Sequence, residues 1–93
     1  MMPSNDDLEN HNFEFAGNIL LSPFARYIRR LRIFKKRTDI SSAARDSGIS
    51  VDRLMQLELD KDVPTDSELI LLSRYYDVYL DNLLQLRPNG KTN

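Results

Sequence analysis

Cysteine is absent from this 93-residue chain. That excludes disulfides, thiolate zinc sites and cysteine nucleophiles together, and it fits an intracellular setting. Histidine occurs once, at His11, with no second ligand beside it, so no metal role is read there. No apolar run approaches the roughly 20 residues of a bilayer-spanning helix, and no membrane partner is expected. The opening MMPSNDDLEN lacks the basic region and hydrophobic core of a secretion signal, which makes a cytoplasmic location the expectation. Also missing are an acid–base pair, a nucleophile with a partner, a phosphate-cradling glycine loop and any metal-ligand spacing. The carboxylates fall at helix caps and on solvated faces, and Tyr75, Tyr76 and Tyr79 read as packing or interface residues. The chain is therefore not expected to be an enzyme: no catalytic residue, metal ligand or cofactor is assigned.

Ninety-three residues with 41% apolar content make one domain, too short for two independent cores. The net charge of −1 hides an uneven distribution. Residues 1–22 carry Asp6, Asp7, Glu9 and Glu14 with no basic side chain, a local charge of −4. Residues 23–57 hold nine basic side chains against three acidic ones, a local +6, and residues 58–93 are at −3. A basic middle between acidic ends points to an anionic partner or to a field that the chain partly neutralises itself.

In chain order, residues 1–22 form an acidic N-terminal arm. Its apolar patch, Phe13, Phe15, Ile19, Leu20 and Leu21, reads either as a cover for the domain surface or as a docking segment for a second subunit or another protein. Ser22-Pro23 is a helix start, with Ser as cap and Pro at the first helical position. Phe24, Ile28, Leu31 and Phe34 make the inward stripe of a helix lasting to about Lys36. Arg26, Arg29, Arg30, Lys35 and Lys36 lie outside that stripe, as a solvated face or a surface for nucleic acid phosphate or an acidic protein.

The segment from Asp39 to Pro64 reads as two short helices around a glycine turn. Ile40, Ala43, Ala44 and Ser47 recur at helical spacing behind an Asp39 cap. Gly48 is suited to the left-handed conformation that ends such a helix, Ile49 turns inward and Ser50 caps the next helix, about Val51 to Glu58. There Leu54 and Leu57 share one side, which leaves Val51, Asp52, Met55 and Gln56 outward. Thr65 to Glu68 is a capping box opening a helix through Leu69, Leu72 and Tyr75 or Tyr76. Val78, Leu80, Leu83 and Leu84 supply a last short helix, followed by the polar tail 87–93. The expected fold is all-α, a compact bundle of five helices with an N-terminal arm.

Two helices joined by a short Gly-containing turn, the second with an outer face, describe a helix-turn-helix. Ala44, Gly48, Ile49, Leu54, Glu58 and Pro64, followed by DSELILLSRYYDVYLDNLL, resemble the Xre family, the Cro/cI-type phage-repressor helix-turn-helix domain. The resemblance covers about Pro23 to Leu86. It implies a lambda-repressor-like domain over residues 23–86 and a structural ion pair between Arg32 and Glu58. It also implies a DNA-binding transcriptional regulator, a repressor or activator, with the helix at 51–58 in the major groove of double-stranded DNA. Carried over by position, Ser50, Val51, Asp52 and Gln56 would read bases, while Arg45, Arg53 and Lys61 would contact phosphates. The family's geometry implies a homodimer on half-sites about one helical turn apart. Tyr79, Leu83 and Leu84, with Phe13 and Phe15 from the arm, would form the dimer or partner contact.

Departures from the family pattern count against direct DNA binding by the usual face and keep an alternative beside the DNA-binding regulator. Ile40 stands where a phosphate-binding Gln is common, and Asp60 and Asp62 flank Lys61 in a loop that is usually basic. Carboxylates near phosphates weaken an interaction dominated by charge neutralisation. The alternative is a protein-interaction module, an antitoxin, anti-repressor or adaptor, that binds a protein partner through the arm or basic helix one with little or no direct DNA binding.

Overall fold

The computed structural model describes residues 21–88, which form five helices with no strand among them. Helix α1 begins at Pro23, where the Ser22 hydroxyl accepts the Ala25 amide at 3.2 Å, and runs α-helically to Arg30. It continues as a π-helical stretch, Leu31–Lys36, that ends at Arg37 in the left-handed conformation with φ 53°. The wider winding carries an extra residue in each turn and shifts the register of the side chains that follow. Phe24 and Ile28 are buried as the spacing predicts, but Phe34 swings outward and is 71% exposed.

Helix α2 (Ile40–Ser47) is opened by Asp39, whose Oδ1 accepts the Ser42 amide at 2.7 Å. That bond holds the exposed Asp39 carboxyl below its ordinary value. The helix closes at Gly48 with φ 89°. A Cβ built there would meet Leu71 Cδ2 only at 3.9 Å, ordinary contact, so the position needs glycine for its backbone angle and not for space. Helix α3 (Val51–Glu58) follows a turn of Gly48, Ile49 and Ser50, with the Ser50 hydroxyl accepting the Arg53 amide at 3.1 Å. Helix α4 (Asp66–Tyr76) has the full capping box: Thr65 Oγ1 accepts the Glu68 amide at 3.1 Å and Glu68 Oε1 accepts the Thr65 amide at 2.9 Å. It ends at Asp77, again left-handed with φ 57°. Helix α5 (Leu80–Leu86) closes the bundle against α4 and α1.

One core unites the helices. Phe24 and Ile28 of α1, Ala43 and Ala44 of α2, Leu54 and Leu57 of α3, Leu69, Leu72 and Tyr76 of α4, and Leu83 of α5 pack together with Ile49 from the turn. Burying one such leucine contributes about 1.5–3 kcal/mol, which is how helices of eight residues, too short to persist alone, are held. α2 packs on α3 and on α4, and α1 crosses α3, leaving the far side of α3 uncovered. No helix among the described residues is long and apolar enough to cross a membrane.

Candidate functional site

The uncovered side of α3 is the candidate site. Leu54 and Leu57 point into the core, so the helical period directs Val51, Asp52, Met55 and Gln56 away from it. Val51, Met55 and Leu59, the last being the residue that closes the helix, follow one another at four-residue spacing and form an apolar stripe. They are 38%, 42% and 51% exposed respectively. Asp52 lies beside the stripe, exposed and with no ion pair among the described residues.

The polar residues at the edge of this face are engaged by the fold itself. Ser50, assigned above to base reading, uses its hydroxyl as the α3 cap. Arg53, assigned to a phosphate, turns inward. Its Nε and Nη2 donate to Glu68 at 2.6 and 3.1 Å, Nη1 donates to Asp62 at 2.6 Å and to Gln56 Oε1 at 3.1 Å, and Nη2 donates to the Val63 carbonyl at 3.0 Å. A guanidinium has five N–H donors, and all are accounted for, so the phosphate assignment of Arg53 is corrected to an internal clasp between α3, the following loop and α4. The bonds to Glu68 and then Asp62 raise the Arg53 pKa further. Burial pushes the Glu68 carboxyl up, but the bonds from Arg53 and the Thr65 amide outweigh it and leave Glu68 below its ordinary value. Arg53 also lowers Asp62. Gln56 remains exposed, but its carbonyl oxygen is tied to Arg53, whereas pairing with adenine requires both ends of the amide.

The loop after α3 is likewise anchored. Asp60 Oδ2 accepts the Ser22 amide at 2.8 Å and so joins the end of α3 to the start of α1. Asp62 Oδ1 accepts the Val63 amide at 2.7 Å while Oδ2 takes Arg53. Lys61 is exposed, and its side chain has no partner among the described residues. Arg45 is exposed and bonds its neighbour Asp46 at 3.1 Å.

Arg32 and Glu58 form a bidentate pair beneath this face, Nε to Oε2 at 2.7 Å and Nη2 to Oε1 at 2.9 Å, with side chains 15% and 5% exposed. Arg32 Nη1 also donates to the Thr38 carbonyl at 3.0 Å, so the same side chain fixes the α1–α2 connection. The bond with Glu58 raises the Arg32 pKa against the opposing effect of burial.

The contact surface assigned to the last helix is corrected at one position. Leu83 is fully buried in the core, because a helix starting at Leu80 directs its fourth residue onto α1 and α4. Tyr79 and Leu84 face out, 81% and 40% exposed. Phe13 and Phe15 lie outside the described residues.

Divided by helix, the charge is more polarised than the sequence windows suggested. Residues 23–37, all of α1, carry seven basic side chains and no acid. Residues 39–64, which contain α2, α3 and their loops, carry three basic and six acidic ones, a local −3. The apolar stripe is within reach of sequence reasoning: helical period turns Met55 outward without giving it a role, and Leu59 continues the same four-residue spacing one position past the helix. A second apolar stripe on a helix whose first stripe is already buried was the signal. No protein-family model, curated protein or solved structure matches this chain.

Proposed function

We propose that residues 23–86 are a helix-turn-helix module of the Xre-like type turned to protein recognition, an adaptor that docks a partner on the outer face of α3. The observation that carries this reading is the exposed stripe Val51, Met55 and Leu59 on a helix whose one inward-edge cation, Arg53, is held by Glu68 and Asp62. Apolar side chains around a helix's outer face gain most by leaving water against another apolar surface. Against a duplex, only thymine methyls offer such contact. Duplex binding also draws most of its affinity from phosphate neutralisation, and α2, α3 and their loops are net acidic.

A second reading keeps the face and changes the partner: a DNA-binding regulator acting as a two-fold dimer. Two observations favour it, the exposure of Val51 and Asp52 at the start of α3 and the dense positive charge of α1.

One pair of assays separates the two. Titrating the full chain at low salt into its own upstream DNA and into a scrambled duplex is expected to give equally weak, salt-labile binding. Cross-linking in a cell extract is expected to give an adduct that Met55→Arg abolishes and the surface change Arg74→Glu leaves intact. Tight binding to one duplex, lost on Gln56→Ala with the fold unchanged, would overturn the adaptor reading.

A further inference from the structure

We propose that the occupant of the α3 stripe is the C-terminal half of α1 from a second copy of this chain, so that molecules associate head to tail. The inference rests on the reading of α3 as a protein-docking face. The π-helical winding of α1 puts Ile33 and Phe34 outside, 36% and 71% exposed. Around them stand Arg30, Lys35, Lys36 and Arg37, all exposed. Lys35 and Lys36 are drawn towards α4, one donating to the Asp77 carbonyl at 3.1 Å and the other 4.6 Å above the Tyr75 ring. Arg30 and Arg37 have no ion pair among the described residues.

The α3 face is the complement of this surface in both chemistry and charge. It offers an apolar stripe where α1 offers a protruding ring, and at the start of that stripe the unpaired Asp52 where α1 offers unpaired arginines, while Lys61, the unpaired cation, lies past the other end. Both surfaces are exposed in one molecule, so neither covers the other, and only a second copy brings them together. The overall charge of −1 opposes association hardly at all. Because the two surfaces differ, each copy docked in this way still presents one of each, and growth continues unless a ring closes. This is distinct from a two-fold contact through Tyr79 and Leu84, which would stop at a dimer.

Sedimentation velocity of the full chain tests the inference. The average mass is expected to exceed the 10.8 kDa monomer at low ionic strength, to rise with concentration past the dimer, and to fall on adding salt. Phe34→Glu and Met55→Arg, both at exposed positions and checked for fold by circular dichroism, are each expected to be monomeric alone. Mixed in equal amounts they are expected to form a 1:1 dimer, since one retains the α3 face and the other the α1 face. A wild-type chain monomeric at high concentration and low salt overturns the inference, as does a mixture that stays monomeric. If that monomer still forms a foreign adduct that Met55→Arg abolishes, the docking role of α3 survives and only its occupant is wrong. Association identical with and without Met55→Arg also overturns the inference, because the copies then meet through another surface; the docking role of α3 itself falls only if the foreign adduct too is indifferent to Met55→Arg.

Discussion

Arg53→Ala separates a clasp from a ligand contact. In the folded chain its guanidinium holds Glu68, whose side chain is 16% exposed, through two bonds, and it holds Asp62, Gln56 and the Val63 carbonyl through three more. Truncation leaves a half-covered carboxylate with only its capping-box bonds. Charge-assisted hydrogen bonds in such a setting contribute about 1.5–3 kcal/mol, and partial solvent access lowers that, so a loss of about 1–3 kcal/mol is expected. The Asp62 side is solvent-exposed and adds little. For a domain of this size 1 kcal/mol corresponds to roughly 4–8 °C, which places the drop in melting temperature at about 5–20 °C. Arg53→Lys keeps the charge but not the fork and is expected to recover only a minor part.

The pH dependence gives an independent check on the same clasp. Glu68 and Asp62 are both held below their ordinary values in the fold. Their stabilising effect is therefore complete above the unfolded carboxylate range near pH 4 and is lost as pH falls through the lower folded values. The gap between wild type and Arg53→Ala is accordingly expected to be widest at neutral pH and to close on acidification. Thermal melts followed by circular dichroism from neutral pH to about pH 3 measure it. A variant that melts within about 2 °C of wild type at neutral pH, with no change on acidification, would refute the clasp and leave Arg53 available to a ligand.

Other consequences can be measured alongside. Removing either member of the buried Arg32–Glu58 pair is expected to cost about 3–5 kcal/mol, whereas Arg32→Met with Glu58→Leu is expected to cost less than either single change; urea unfolding of the double-mutant cycle reads this, and additive losses would contradict it. Tyr76 is fully buried, and its hydroxyl has no hydrogen-bond partner among the described residues, so Tyr76→Phe is expected to hold or raise stability by about 1 kcal/mol in the same assay. Asp77 sits left-handed at the end of α4, where glycine carries no steric penalty, and Asp77→Gly is expected to raise stability by some tenths of a kcal/mol up to about 1. Gly48→Ala is expected to do the opposite by about 1 kcal/mol through its positive φ alone, since space for the methyl exists.

What the chain disclosed beforehand was what is decided locally. Ser22, Asp39, Ser50 and Thr65 cap helices in the structure because a cap joins a side chain to an amide three residues on, a relation visible in any short window. The inward residues of α2 and α3, with Leu69 and Leu72 of α4, follow from helical period; it leaves Tyr75 and Tyr76 open, and Tyr76 is the buried one. The Arg32–Glu58 pair spans 26 positions and entered through family resemblance, not through spacing. The inward turn of Arg53 is hidden from the sequence because its acidic partners are 9 and 15 residues away, a distance that only tertiary packing closes. A 3.6-residue period puts Phe34 inward, but α1 abandons that period after Arg30, and no residue type announces the wider turn. For Leu83 and Leu84, adjacent and chemically alike, the start of α5 at Leu80 decides which is core.

The charge pattern gains its meaning from the same tertiary arrangement. An overall charge of −1 describes a weakly acidic chain, yet residues 23–37 carry seven cations and no acid while residues 39–64 are net acidic, and the division persists when the buried Arg32–Glu58 pair is set aside. Such a molecule orients partners more strongly than its net charge suggests, because encounter is governed by the local field. A polyanion would be drawn to α1, whereas apolar burial is offered by α3, so the long-range attraction and the short-range contact point to different sides. A duplex that must use α3 for contact would be attracted to the wrong helix, while a partner that is basic around an apolar centre would find both forces aligned on α3. Arg53 reinforces that division: drawn inward by Glu68 and Asp62, it withdraws the positive charge best placed to oppose it.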